Sequence, residues 1–199
     1  MAAVKKAAII FRTASILLLF LLLNLTDISA RTSLVALPMR QDVQIKLGSS
    51  SYALVQEKRV LTLKKGINQV DFSWQNVRID PQSLQFTPIE NEKGVKIISI
   101  SYPPSESALI WHIFSPEDTE QKVMISYLLA GIDGLIEYRA ETGSLEKTLG
   151  LKTFLVLRNF SGEKFTGADL SINGSEQFST GIDHLETKRL LVKDQPGIP

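Results

Sequence analysis

Residues 52–74 read YALVQEKRVLTLKKGINQVDFSW, and this stretch decides the fold class. Apolar and polar residues alternate in Arg59–Leu63 and again in Val70–Trp74, a period of two that is typical of strands with one buried face. Between them, Lys64–Asn68 contains Gly66, which can adopt the positive φ of a tight turn. The pattern predicts a β-hairpin whose first arm is either two strands or one long bulged strand.

The same signals continue on both sides of this hairpin. Short apolar or alternating runs recur along the chain and are separated by turns that contain Gly, Pro, Asn or Asp. No segment after Arg31 has the 3.6-residue period of a helix. We therefore predict an all-β protein, an antiparallel β-sandwich. Residues 31–115 and 116–199 are expected to form two small β units, the second of them shortened at its C-terminus, with one continuous sandwich as the alternative.

The first thirty residues have the order of a secretory signal. A basic start is followed by the apolar run Ala14–Leu25 and by the small residue Ala30. The apolar run has about 12 residues, fewer than the roughly 20 that span a bilayer as a helix. We predict a signal helix in residues 1–30 that is removed on export, which places the mature chain in the periplasm or outside the cell. If the segment stays uncleaved, it anchors the protein, and this is the one membrane contact that we expect.

The composition removes several classes of function. The chain has 22 Lys and Arg against 21 Asp and Glu, so its net charge of +1 creates no strong field for holding nucleic acid. It contains no cysteine, so we expect no disulfide, no thiolate nucleophile and no cysteine-based zinc site. His112 lies in an apolar run and His184 in a polar segment. We interpret both as structural or solvated, and we predict neither a metal site nor a cofactor.

Candidate catalytic groups are few. The chain has no Gly-x-Ser-x-Gly nucleophile elbow and no glycine-rich phosphate loop. Acidic residues cluster at Glu117–Glu120 and at Glu137 and Glu141, and two carboxylates that flank a cleft are the machinery of a glycosidase. Because basic residues surround both clusters, we interpret them as solvated charge and predict no catalytic residue. A carbohydrate-active envelope hydrolase that uses these carboxylates is the alternative.

Three residues are the candidate binding surface: Trp74, Lys64 and Lys65. Lys64 and Lys65 lie at the predicted hairpin tip, and with Lys58 and Arg59 they could contact anionic lipid or polysaccharide. Trp74 follows the second hairpin strand, where an exposed indole would suit a binding face. The alternative is an ordinary charged hairpin tip and a core tryptophan.

Two triplets match the acceptor pattern for N-glycosylation. They are Asn159-Phe160-Ser161 and Asn173-Gly174-Ser175. Such triplets arise often by chance, and they have a meaning only in a eukaryotic source.

Several blocks of the chain resemble the β domain of mucoidy-inhibitor-like proteins. In chain order the matching blocks are Tyr52–Arg59, Leu63–Asn68, Ile79–Leu84, Ile125–Gly131, Tyr138, Val156–Phe165 and Ala168–Leu170. The resemblance covers Tyr52 to Ile172 and implies a β-rich, exported or envelope-associated domain of unknown function, with no catalytic residue to carry across. The family often has a Trp where Gly134 and Leu135 stand here, and its domain usually continues past the end of this chain. Strands supplied by a partner are therefore one expectation.

Together these observations predict an exported, non-enzymatic β-sandwich that serves as an interaction or binding module at the cell envelope. The expected partner is another envelope protein that docks on sheet edges, because an unpaired edge can accept a further strand. Nucleic acid is not an expected partner. The sequence leaves the oligomeric state open.

Overall fold

The computed structural model describes residues 32–48, 50–90, 94–142, 148–172, 174 and 178–198. The predicted signal helix in residues 1–30 lies outside this part of the chain. The described residues form strands joined by turns, with one short 3₁₀ helix at Pro81–Ser83. In chain order the strands are β1 (Thr32–Val35), β2 (Asp42–Leu47), β3 (Tyr52–Leu63), β4 (Gly66–Ser73), β5 (Gln85–Pro88), β6 (Lys96–Ser101), β7 (Ala108–Ser115), β8 (Thr119–Ala130), β9 (Ile132–Thr142), β10 (Leu149–Asn159), β11 (Phe165–Ile172), β12 (Phe178–Ile182) and β13 (Thr187–Ile198).

These strands form three sheets. Sheet A has the order β1-β4-β7-β6, sheet B the order β12-β11-β2-β3-β8-β5, and sheet C the order β13-β10-β9. One hydrophobic core includes residues from all three sheets, such as Ile45 in β2, Trp111 in β7 and Leu157 in β10, each fully buried. The predicted all-β sandwich is confirmed.

Two strand pairs are parallel, which differs from the purely antiparallel sandwich that the sequence suggested. Thr32–Val35 of β1 lies parallel to Ile67–Val70 of β4, and Gln44–Leu47 of β2 lies parallel to Asp169–Ile172 of β11. A parallel pair cannot be closed by a tight turn, so its two strands must be separated by a long connection. Sheets A and B are therefore mixed, whereas sheet C is antiparallel, and short-range turn signals could not have revealed the parallel pairings.

The centre of sheet B is the pairing of β3 with β8. The two strands run antiparallel over twelve residue pairs, from Tyr52 opposite Ala130 to Leu63 opposite Thr119, in one unbroken register. Residues 52–63 are thus a single long strand, but β4 pairs with β1 and β7 in sheet A rather than with β3, so the hairpin predicted from residues 52–74 does not form. Because β3 precedes residue 115 and β8 follows it, strands from both halves of the sequence share sheet B.

The turn after β10 joins sheet C to sheet B and is densely bonded. Asn159 is fully buried, and its side-chain amide donates to the carbonyl oxygens of Glu163 at 2.7 Å and of Asp183 at 3.1 Å. Gly162 has a φ of +91°, and a Cβ placed on it would lie 2.0 Å from the carbonyl oxygen of Asn76. Only glycine fits this position, because both the backbone conformation and the close approach exclude a side chain.

Candidate functional site

Lys64 and Lys65 lie at the tip of the turn between β3 and β4, and both are exposed. The predicted hairpin is wrong, because β3 pairs within sheet B and β4 within sheet A, so this turn carries the chain from one sheet to the other. The Lys65 backbone N–H donates to one carboxylate oxygen of Asp118 at 2.8 Å, and Lys64 Nζ lies 3.0 Å from the other. The backbone bond from Lys65, and then the bond from Lys64, hold the pKa of Asp118 below its ordinary value. The tip is therefore fastened to the β7–β8 loop, and part of its positive charge is already neutralised. Its role in binding stays a prediction.

Trp74 belongs to the core rather than to the surface. Its side chain is only 8% exposed, and its ring centroid lies 6.1 Å from that of Phe72. Along β4 the residues at alternate positions, Val70 and Phe72, are also buried, so Trp74 continues their face. The exposed indole considered from the sequence is not present, and the same alternation is the signal that would have placed it inside.

The acidic clusters have separate charge partners. Glu117, Asp118 and Glu120 are exposed around the β7–β8 loop, where Asp118 is paired as described. Glu137 forms an ion pair with Arg189 across sheet C, and Glu141 lies 3.6 Å from Lys152 Nζ. Three cavities among the described residues are lined by other side chains, and none of these three includes a carboxylate of the two clusters. No specific observation therefore favours the hydrolase alternative.

The two histidines make polar contacts on the surface of the sandwich. His112 faces outward from sheet A, with its Nδ1 2.8 Å from Ser99 Oγ and its Nε2 3.4 Å from the Gln69 amide nitrogen. A Ser–His–acid triad requires a carboxylate on the second ring nitrogen, and here that position holds an amide. His184 Nδ1 accepts a hydrogen bond from the Gly162 backbone at 3.1 Å, which joins two turns.

Asn159, the first candidate glycosylation acceptor, is buried and fully engaged in the hydrogen bonds given above. A glycan replaces one of the two amide hydrogens, so it would have to break at least one of these bonds and displace the buried turn. The folded protein therefore cannot present this residue to a transferase. Asn173, the second acceptor, lies outside the described residues.

A buried ionic network in sheet B was not foreseen from the sequence. Glu57 is fully buried, with Arg59 Nη2 3.0 Å from its Oε1 and Arg40 Nε 2.5 Å from its Oε2. Glu57 Oε2 accepts no hydrogen bond, so its contact with Arg40 is an ion pair. Arg40 Nη2 also lies 2.9 Å from Glu163, and Arg59 donates to the carbonyl oxygen of Pro38.

Burial controls the electrostatics around this network. Burial, and then the negative charge of Glu57, raise the pKa of Tyr127 far above its ordinary value, so the phenol stays neutral. Burial by itself lowers the pKa of Arg40, but Tyr127, Glu57 and Glu163 together raise it above its ordinary value. Arg40 therefore stays charged, and the network ties the β1–β2 connection to β3 and to the turn after β10.

Alternation along β3 is the signal that would have revealed the network. Ala53, Val55, Leu61 and Leu63 are buried, and Glu57 and Arg59 occupy the positions of the same parity between them. The sequence interpretation instead placed Arg59 with Lys58 among exposed basic residues of the hairpin. Lys58 has the opposite parity and is partly exposed beside Asp42, 2.7 Å away.

A cavity of about 290 Å³ lies beside the network. Charged residues line it, namely Arg40, Asp42 and Lys164. Each is already paired within the protein: Arg40 in the network, Asp42 with Lys58 at 2.7 Å, and Lys164 with Asp183 at 2.8 Å. A charged ligand would have to break one of these pairs, so the cavity is a poor candidate for a binding site.

The most prominent exposed feature is an apolar surface at the free edge of sheet A. Five large apolar side chains on β6, just after it and on β7 have exposures between 38% and 56%. We call this surface the edge patch, and its members are Ile97, Ile98, Ile100, Tyr102 and Phe114. Ile97 and Ile100 lie opposite buried residues of β7, whereas Phe114 lies opposite Lys96 on the outward face, so the group surrounds the strand edge rather than covering one face. Exposed apolar side chains scattered singly are normal on a protein surface, whereas several at one unpaired edge favour an interaction site.

The position of β6 explains why these side chains are exposed. β6 pairs with β7 alone, because it is the last strand of sheet A. Ile97 lies opposite Ile113 and Ile100 opposite Trp111, so both continue the buried face of β7 past the end of the core. Ile98 occupies a β-bulge that interrupts the register between Ile97 and Ser99. The edge patch is thus a core-type sequence on a strand that lacks a second neighbour among the described residues.

Comparisons with protein-family models, with curated proteins and with solved structures find no match for this chain. In the described ranges no helix is long and apolar enough to cross a bilayer. Within the same ranges no three His, Asp or Glu residues form a group that could hold a metal ion.

Proposed function

We propose that this protein is an exported, non-enzymatic β-sandwich that binds another protein of the cell envelope through the edge patch. The observation that carries the proposal is the exposure of five large apolar side chains around one sheet edge. The basic and apolar order of residues 1–30 supports export, and the resemblance to mucoidy-inhibitor-like proteins supports an envelope location.

The chemistry of the edge patch favours a protein partner with an extended apolar segment. Lys96 and Ser99 are the polar residues between or beside the isoleucines, so the surface carries little charge for recognising an anion. Burial of one isoleucine side chain contributes about 1.5–3 kcal/mol. The backbone from Ser99 to Ser101, past the bulge, is regular enough to add a partner strand. Apolar contacts thus give affinity, and the short ladder gives orientation.

The test is a pull-down from envelope extract of the protein's own source, with bound proteins identified by mass spectrometry and then rebound in purified form. The bait is the exported protein, compared with an Ile98→Lys variant. Ile98 is 55% exposed in the bulge, so a lysine there disrupts the patch without entering the core. The matched control is Leu34→Lys, which alters an even more exposed residue on the opposite edge strand β1.

We expect one stoichiometric protein that is retained by the parent and by Leu34→Lys and is weakened at least about tenfold by Ile98→Lys, the effect of losing 1.4 kcal/mol. Equal retention by all three baits would show that the edge patch does not bind the partner. Retention of glycan, or release of a small product, in place of a protein would contradict the proposal and revive the hydrolase alternative. N-terminal sequencing of the exported protein tests export itself, since a start at Arg31 supports release and an intact Met1 supports anchoring.

A further inference from the structure

Sheet C contains a second free edge, formed by strand β9. β9 is the last strand on its side of the sheet among the described residues, and from Tyr138 to Thr142 every side chain is exposed. Tyr138 itself is 68% exposed. This edge is independent of the edge patch, because it belongs to another sheet and another part of the chain.

The order of side chains along β9 is self-complementary. If two copies of the strand pair antiparallel with Tyr138 at the two-fold axis, Glu137 of each copy lies opposite Arg139 of the other. The two tyrosines then face each other, and Ile136 lies opposite Ala140. Cross-strand pairs of opposite charge and of two aromatic rings are both favourable, whereas like charges directly opposite each other are unfavourable.

The state of these side chains in one copy suits such a pairing. The side chains of Glu137 and Arg139 are 44% and 59% exposed. Arg139 has only a loose contact, 3.7 Å from Glu141 on its own strand, so it can turn toward a second copy. Glu137 reaches across β10 to Arg189 on β13, so its carboxylate must turn toward the free edge, or share its second oxygen, to pair with Arg139 of a second copy.

The free edges formed by β13 and β6 lack this complementarity. On β13, the opposite edge of sheet C, antiparallel pairing about Leu191 sets Arg189 against Lys193 of the second copy, and Pro196 interrupts the ladder. On β6 the bulge at Ile98 breaks the register. A regular backbone and a self-complementary charge order therefore occur together on β9.

We propose that two copies of this chain associate through antiparallel pairing of β9 over residues Ile136–Ala140, with Tyr138 at the two-fold axis. The pairing joins the two copies of sheet C into one six-stranded sheet. It satisfies the free backbone groups of both edges, and it leaves the edge patch of each copy open, so a dimer presents two partner sites.

The first test uses the absence of cysteine from the chain. Residues directly opposite in an antiparallel pair have Cα atoms about 4.5–5.5 Å apart, within the range that a disulfide bridges. Tyr138→Cys should therefore give a disulfide-linked dimer on mild oxidation of the exported protein. The control is Leu191→Cys, since Leu191 is 55% exposed on the opposite edge of the same sheet. Equal cross-linking of the two variants, or none at Tyr138→Cys, would overturn the proposal.

The second test exchanges charges and measures association by sedimentation velocity. Arg139→Glu alone, or Glu137→Arg alone, places like charges opposite each other and should weaken self-association at least about tenfold. A mixture of the two variants should form a heterodimer, because every cross-strand pair then joins an acid to a base. The double exchange should restore the homodimer. The pairing would be refuted if the parent protein stayed monomeric at 100 times the protein concentration used for the variants. A mixture of the two variants that does not associate would refute it as well.

Thermal unfolding of each variant separates these outcomes from misfolding, since Glu137→Arg also removes the contact with Arg189. Arg139→Glu alters no strong internal contact and is the decisive single variant. Failure of this dimer leaves the partner proposal intact, because Ile98→Lys and Arg139→Glu act on different sheets.

Discussion

Strands β3 and β9 have nearly equal lengths, yet they differ in which side chains they bury and which they expose. β3 lies between β2 and β8 and buries two charged residues, Glu57 and Arg59. β9 lies at the edge of sheet C and exposes two large apolar ones, Leu135 and Tyr138. In both strands the number of neighbours, rather than the polarity of a residue, decides its exposure. The usual assignment of charge to the surface therefore fails in the middle of sheet B.

The two strands also differ in what a charge contributes. A buried ion pair offsets a large desolvation cost, so removal of one partner leaves the other charge buried and uncompensated. A half-exposed pair stays solvated, and its loss costs little. Substitutions at matched positions of the two strands should therefore separate a charge that the interior requires from one that only orients a surface.

The largest expected effect comes from the same substitution in each strand. Glu57→Ala should lower the free energy of unfolding by about 3–5 kcal/mol, because Arg59 and Arg40 then lose their buried counter-ion. Glu137→Ala removes an ion pair whose side chains are 44% and 41% exposed and should cost about 1 kcal/mol or less. Urea unfolding of both variants measures the difference. A gap below about 1 kcal/mol would show that the burial of Glu57 does not govern its contribution.

An intermediate effect should distinguish the two ends of sheet C. A Cβ on Gly134, near the start of β9, would lie 2.8 Å from the Leu47 side chain and 3.1 Å from that of Leu155, so Gly134→Ala should destabilise the fold by about 1–3 kcal/mol. Gly150 lies near the start of β10, at the opposite end of sheet C from Gly134. A Cβ on Gly150 would be 3.6 Å from its nearest neighbour, the Glu141 carbonyl oxygen.

Gly150→Ala is the matched control and should be neutral or stabilising by up to about 0.5–1 kcal/mol, because alanine loses less backbone entropy than glycine in a strand. The midpoints of thermal or urea unfolding report both values. Equal destabilisation by the two substitutions would mean that the far end of sheet C is as closely packed as its start.

The smallest effect concerns Asp118, an exposed carboxylate in the β7–β8 loop that contacts the turn after β3. The folded-state pKa of Asp118 is below the ordinary 3.8, so its contribution to stability is present above that value and is lost as the pH falls through the lowered pKa. The backbone N–H of Lys65 is the largest single cause and stays in place in Lys64→Met, so this substitution should raise the pKa of Asp118 only part of the way. Carbon-detected NMR titration measures it. A full return to 3.8 would assign the whole shift to Lys64.

Much of the local structure could be predicted from the sequence. Alternation in residues 52–74 predicted strands, and Gly66 was expected to take a positive φ, which it does at +106°. The same alternation indicates that Trp74 and Glu57 are buried, because each occupies the same face of its strand as buried apolar residues. The sequence interpretation weighed residue type above parity for Trp74 and Arg59: it considered an exposed indole and grouped Arg59 with exposed basic residues, and both side chains are buried.

The two proposed binding surfaces could not be predicted in the same way. Ile97 and Ile100 have the composition of a buried strand, and only the sheet order shows that β6 has a single neighbour. The β9 edge is charged and mixed in composition, so nothing in its residues marks it as a terminal strand. A strand's neighbours are set by pairings between distant parts of the chain, and local patterns carry no information about these.

The sequence by itself determined that this chain folds as strands, where most of its turns lie, and which side chains share a face of each strand. These properties follow from backbone sterics and the two-residue period, which act between adjacent residues. The tertiary structure decided which faces are buried and which edges are free. It paired β3 with β8, set β2 parallel to β11 and left β6 and β9 at the ends of their sheets, since hydrophobic burial is settled by the whole packed assembly of strands.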